Sequence, residues 1–560
     1  MVKKLGGYLV DLLRVRGIQY FFANPGTEFS SIIESFAANE ISGQRLPQPV
    51  MVPHEAVAVN MAYGAYLATG KPQAVMVHAT IGAANAAAAL INASRMNIPM
   101  LFIAGRTPIT ETGYSASRDK FIHWAQESYD QGGMFREYMK WDYELRQSDH
   151  LATVLDRALS IMNTAPKGPV YLQLPRERLM DDIDMDDVPQ PGTNRAALLG
   201  VPASSQLDQL VKLIANARHP IILTKTLGEN AEAIKSLEEF ADQYAIPVIT
   251  PDAHYYNISS RHDMFCGYQK NHLYEQADLV LNLGMDVPWC PVTDEPTKAA
   301  TVIHIAEDPL FQKIPIRTHR GDIFLIADIT STLQKLIEAL MGQVNSLIIE
   351  ERRREVMQFK KQLAVNNLSD DNDGSLLSTE TVAQAINEIW DENCILVNEL
   401  SLSPDPIQFD QPGCYFRTGS ASGLGWGLGA AIGIALAAPQ KTIIAVIGDG
   451  SYYFANPTVI HWLAKRYGLK VLTIILNNNG MKSIQGVTEK HFPDGAASNS
   501  ANFPLTSLEP APNFEDIAVA FDGYGYRVDK LKDLNSAIEE ALHKVRQSGN
   551  QSLVNVILDT

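Results

Sequence analysis

The sequence predicts an α/β protein of three consecutive domains with mainly parallel sheets. Three observations lead there. Strand-length apolar runs alternate with helical stretches along most of the chain, the pattern of parallel strands joined by crossover helices. The chain has 560 residues, more than one hydrophobic core usually organises. Two stretches of shifted composition divide it. DDIDMDDVPQPGTNRAALLGVPASS (181–205) is acidic, then rich in Pro, Gly and Ser, and IEERRREVMQFKKQLAVNNLSDDNDGS near 345–375 is helical and charged; both read as linkers. The expected domains are residues 1–185, 200–345 and 375–560.

In the first domain, KKLGGYLVDLLRVRG sets Leu5, Leu9, Leu12 and Leu13 on one helical face, with Gly17 as a C-cap. YFFAN (20–24) reads as a buried strand followed by a PGTE turn. VMVP (50–53) leads into a helix over 55–68, AVMVH (74–78) into an alanine-rich helix over 83–95. MLFIAG (100–105) and VYLQLP (170–175) are further strands. In the second, PIILTK, PVITPD, ADLVLNLG and TVIHIAEDP are strand-like, and no GxGxxG accompanies them. The third contains CILVNE, KTIIAVIGDG and KVLTIIL as strands.

Composition narrows the partners. A net charge of −17 argues against a nucleic-acid surface and against an anionic membrane. No run approaches the roughly 18 apolar residues of a transmembrane helix, and the charged N-terminus lacks a signal-peptide core. The four cysteines form no CxxC pair, so a reducing, cytoplasmic setting is expected.

The chemistry concentrates at strand ends. IIAVIG ends at Asp449, between Gly448 and Gly450, and KVLTIIL ends at NNNG (477–480), with Asn478 29 residues after Asp449. Ligands of parallel sheets bind beyond the carboxyl ends of strands. A buried carboxylate there needs a cationic partner, and Asp449 with Asn478 can share one hard cation through oxygen, as magnesium carrying phosphate requires. Between them in the argument stands TGSASGLGWGLGAAIGIALAAP (418–439), whose glycines at 423, 425, 427, 429 and 433 crowd a helix-forming run. Each costs about 1 kcal/mol in a helix, so another backbone or a flat ligand lies close, or the helix packs tightly on a sheet.

GDG followed about thirty residues later by NN resembles the cofactor motif of thiamine-diphosphate enzymes, and the likeness spans the chain as pyrimidine-binding, middle and diphosphate-binding domains. Within that superfamily the sequence is most similar to the benzoylformate decarboxylase and acetolactate synthase group. The resemblance implies Asp449, Asn478 and the main-chain carbonyl of Gly480 as magnesium ligands, and Asn398, Ser401, Gly448, Gly450 and Ser451 around the diphosphate. It implies that Leu424 is the wedge that bends the cofactor and that the backbone at Ser422 accepts a hydrogen bond from the aminopyrimidine. Glu55, in VMVPHEAVAVNMAYG, matches the glutamate that activates the pyrimidine ring. His78, at the end of AVMVH, matches a proton-transfer histidine of the decarboxylases that the synthases lack. Thr27, in NPGTE, takes the place of a serine that binds the substrate carboxylate.

The implied reaction is non-oxidative decarboxylation of a 2-oxo acid to an aldehyde and carbon dioxide, with carboligation as a side activity. The alternative is a synthase-type carboligase, and only the resemblance to that branch would imply FAD in the middle domain, which is not the favoured reading. A homodimer, and further a homotetramer, is implied. Departures are visible too. The stretch GMDVPWCPV (284–292) lacks the decarboxylases' second histidine and offers Trp289 and Cys290, and His254 has no assigned counterpart. The segment 121–133 resembles the synthases, with Gln126 or Gln131 near the cofactor, and Met481 replaces the usual tyrosine after NNxG. A cofactor-binding paralogue without turnover would not need Glu55, and a kinase would need the GxxxxGK[ST] loop that is absent.

Overall fold

The computed structural model describes residues 2–42, 47–184, 189, 192, 195–369, 376–400, 402–500 and 503–559. Three parallel sheets follow one another. The first has six strands in the order Gln48–Met51, Tyr20–Asn24, Gln73–Val77, Met100–Arg106, Val170–Pro175, Asp142–Glu144. The middle has five: Val248–Ile249, Pro220–Thr224, Leu279–Leu283, Thr301–Ala306, Ile323–Ile326. The third has six: Tyr415–Arg417, Cys394–Glu399, Thr442–Gly448, Val471–Asn477, Ser552–Ile557, Tyr524–Val528. Val471–Asn477 is buried along its whole length, as a parallel strand covered on both faces must be.

Two expectations change in detail. The helix expected over 83–95 is two helices, Ala79–Asn85 and Ala87–Arg95, and Ala79 carries a left-handed backbone (φ 38°) directly after His78. The charged segment read as the second linker begins as the helix Ser346–Ser369. It packs Val356 and Phe359 into the middle core, and buried Arg352 donates to the carbonyls of Tyr244, Ile214 and Ala217. Of the first linker, residues 185–188, 190–191 and 193–194 lie outside the described residues, and its start, Asp182–Asp184, pairs antiparallel with Val2–Lys4.

The glycine-rich run forms the helix Trp426–Ala437, and its partner is another helix, Glu55–Thr69. A Cβ on Gly64 would fall 2.0 Å from the carbonyl oxygen of Ala430, and one on Gly433 would fall 2.1 Å from that of Met61. Backbone meets backbone, so the glycines are sterically required. One apolar core therefore runs through both outer domains, from Val57, Met61 and Tyr63 to Trp426, Ile432 and Leu463. Gly64→Val is expected to destabilise the protein by at least the 1–3 kcal/mol typical of overpacking, read as a lowered Tm by calorimetry; an unchanged Tm would contradict the close crossing.

Candidate active site

Thr27, Glu55 and His78 come together along the carboxyl-end rim of the first sheet, each just past a neighbouring strand. Glu55 is the first residue of its helix, where a negative charge meets the helix dipole. It accepts a 2.6 Å hydrogen bond from Asn85 Nδ2. Thr27 opens a short 3-10 turn, Thr27–Phe29, and its side chain is exposed.

His78 has a partner that the sequence did not single out. Its Nδ1 lies 2.7 Å from Glu28 Oε2. Glu28 is buried, and it fits because Gly26 and Gly105 leave room: a Cβ on Gly105 would sit 2.4 Å from Glu28 Oε1. The hydrogen bond to Glu28 raises the His78 pKa against the opposing effect of burial. Such a group stabilises the fold fully below its unfolded pKa near 6.5, and this contribution is lost as pH rises through the folded value. Glu28→Gln is expected to bring the His78 titration down toward 6.5, measured by NMR on labelled histidine; an unmoved midpoint would reject the pairing. Below the dyad, fully buried Gln131 donates to the Gly105 carbonyl and to the Tyr171 hydroxyl and accepts from Thr80. Gln126 adds to the rise at His78.

The second group lies on the corresponding rim of the third sheet. The register pairs Asn398 with Val446 and Gly448 with Leu476, which aligns three strand ends. Asp449 is the first residue of a short helix, Asp449–Phe454, and is buried. Its oxygens accept from the N–H groups of Gly450 (2.9 Å) and Gly480 (3.2 Å). Asn478 Oδ1 lies 3.2 Å from the same Gly480 nitrogen, so the two side-chain oxygens converge on one point. Burial raises the pKa of Asp449. This set of one carboxylate, one amide oxygen and nearby main chain offers hard oxygen ligands in the number magnesium takes from protein when phosphate and water fill the rest. Among the described residues no cluster of three His, Cys, Asp or Glu could hold a metal, and this set needs none.

Gly450 and buried Ser451 continue from Asp449, and Met481 packs on Gly450, with its sulfur 2.9 Å from where a Cβ would stand. Asn398 turns its side chain to the Leu402 backbone, donating to that carbonyl at 2.8 Å. Ser401 lies outside the described residues. Ser422 is exposed with a left-handed backbone (φ 49°), and Leu424 is half-buried beside it. Sequence reasoning also passed over Glu399, which is completely buried and accepts the N–H of Gly425 at 2.6 Å and that of Gly427. Burial pushes its carboxyl up to about 7 despite those donors and Ser451.

In the middle domain, Trp289 is buried against His319, and Cys290 is exposed. Asp286, in the stretch that lacks a histidine, pairs with buried Lys225. Burial alone would raise its pKa, but the Lys225 charge and hydrogen bonds from Lys225 and Ser420 hold it low. His254 is nearly inaccessible, and burial with the neighbouring Lys225 takes its pKa down to about 3. It is a neutral structural imidazole at ordinary pH.

Family models for the thiamine pyrophosphate enzymes match in chain order: the N-terminal TPP binding domain over residues 3–134, the central domain over 207–336 and the C-terminal TPP binding domain over 404–556. Benzoylformate decarboxylase of Pseudomonas aeruginosa is 26% identical over 563 residues, covering 95% of each chain. The acetolactate synthase large subunit of Haemophilus influenzae is 24% identical, over 96% of this chain and 92% of its own. Among solved structures, the Rhodococcus jostii thiamine diphosphate-dependent 4-hydroxybenzoylformate decarboxylase superposes with a TM-score of 0.78 at 21% identity, covering 100% of this chain and 99% of its own. Among the described residues no helix is long and apolar enough to cross a membrane. With three parallel-sheet domains in this order, and with both rims in place, the chain belongs to the thiamine pyrophosphate enzymes, related to benzoylformate decarboxylase and acetolactate synthase.

Proposed function

We propose that the protein is a magnesium- and thiamine-diphosphate-dependent decarboxylase of a 2-oxo acid, releasing an aldehyde and carbon dioxide, with carboligation as a side activity. The observation that carries this reading is the Glu28–His78 pair, a histidine kept ready to carry a proton at the strand end beside Glu55. When bound, the cofactor supplies the electron sink for loss of carbon dioxide. Asp449, Asn478 and the Gly480 carbonyl would hold the metal. Gly448, Gly450 and Ser451, with Asn398 and Ser401, would line the diphosphate. The main chain at Ser422 and the side chain of Leu424 orient the pyrimidine end. Glu55 holds a proton at the pyrimidine ring nitrogen. Thr27 binds the substrate carboxylate through its hydroxyl, and His78 moves a proton at the substrate oxygen.

Glu55 and Asp449 each make their hydrogen bonds within their own domain. By analogy with the related enzymes, the assembly we propose sets the first domain of one protomer against the third of another, as a homodimer at least and a homotetramer further. The four free cysteines accord with a cytoplasmic setting. A second reading, ligation of the acetolactate-synthase type, is favoured by the similarity to the synthases and by the buried Gln131. A panel of aromatic and aliphatic 2-oxo acids tests both: aldehyde with stoichiometric carbon dioxide supports decarboxylation, a 2-hydroxy ketone or acetohydroxy acid as main product supports ligation, and no carbon dioxide from any acid with saturating cofactor rejects both.

A further inference from the structure

The turn 418–424, which carries Ser422 and Leu424, is held from all three domains. From the first domain, Asn92 clamps Gly423 in both directions, donating to its carbonyl and accepting its N–H, each at 2.9 Å. From its own domain, Glu399 takes the N–H of Gly425. From the middle domain comes a charged cluster that ends on one hydroxyl. Lys225 Nζ donates to Ser420 Oγ at 3.1 Å, and Ser420 Oγ donates to Asp286 at 2.5 Å. Lys225 and Asp286 form an ion pair with side chains only 3% and 10% exposed, and His254 Nε2 stands 3.4 Å from the same hydroxyl.

A buried ion pair is poor evidence for stability, because an apolar pair of similar volume serves as well. Asp286 also accepts the N–H of its neighbour Val287, and Lys225 also lies 3.6 Å from Asp252. The pair's hydrogen bonds into the third domain, however, go to one loop residue, Ser420, two positions before a non-glycine residue in the left-handed region. Such a backbone persists only where its surroundings impose it.

We propose that Lys225, Asp286 and Ser420 are positioning residues, which fix the turn so that the Ser422 backbone is presented to the aminopyrimidine end of the cofactor. The proposal rests on the functional reading above. The middle domain thereby acts on the cofactor site through a loop of the third domain.

Ser420→Ala in the full-length protein is the test, since Ser420 is exposed on one side and its loss leaves the core intact. In the apoprotein, deuterium uptake by the peptide spanning 418–426 is expected to run about tenfold faster, as loss of one hydrogen bond to a charged group allows. In the loaded protein, exchange of the cofactor C2 proton, read by NMR after acid quench, is expected to fall about tenfold. Tm and magnesium-dependent cofactor affinity stay at the wild-type level, because the diphosphate end is held elsewhere. The double variant Lys225→Met, Asp286→Leu is expected to reproduce the loop effect. Wild-type rates of loop and C2 exchange in Ser420→Ala, with normal cofactor binding, overturn this role alone. A wild-type protein that binds no thiamine diphosphate with magnesium overturns the functional reading and this role with it.

Discussion

Glu55→Gln is expected to lower turnover about a thousandfold, within the 10²–10⁴ range of a lost acid–base group, while Tm and cofactor affinity hold. Glutamine keeps the shape and one carbonyl oxygen, so Asn85 retains an acceptor where it now bonds Glu55 at 2.6 Å. What disappears is the capacity to carry a proton against the pyrimidine ring. Steady-state rates on the best 2-oxo acid, compared under saturating cofactor, measure the effect. Retention of full activity would remove Glu55 from its assigned place, and loss of folding would show it to be a structural helix-start residue.

Asp449→Ala acts at the other end of the cofactor, and the expected result has a different signature. In the wild type, thiamine diphosphate with magnesium at a hundred times its dissociation constant stabilises by about 2.7 kcal/mol. In the variant this stabilisation vanishes, and the dependence on magnesium goes with it. The apoprotein is expected to lose little stability, because the desolvation that raises the Asp449 pKa offsets the N–H hydrogen bonds that its carboxylate accepts from Gly450 and Gly480. Thermal melts with and without metal measure this directly. A variant that still gains stability from cofactor only when magnesium is present would refute the ligand assignment.

The strand ends were legible because a parallel sheet announces its rim: continuous apolar runs such as IIAVIG and KVLTIIL stop at small or polar residues. Short polar edge strands were not. Asp142–Glu144 and Val2–Lys4 are three residues each and carry no period long enough to read. The glycine run pointed correctly to a close neighbour but could not say which, since the answer, the helix from Glu55, lies some 370 residues earlier in the chain. Glu28 was hidden inside a turn signature, and only the paired vacancies at Gly26 and Gly105, 79 residues apart in sequence, reveal that it is buried. The Lys225–Asp286–Ser420 contact joins two domains. No local pattern encodes such a contact, which is why His254 was left without a role.

The crossing of the helices Glu55–Thr69 and Trp426–Ala437 leaves no slack between the two outer thirds of a protomer. Carbonyls already seated against Gly64 and Gly433 allow neither sliding nor rocking without collision. Admission of a bulky coenzyme therefore falls to other joints, the loops over each rim, while the paired outer domains stay together as a single body.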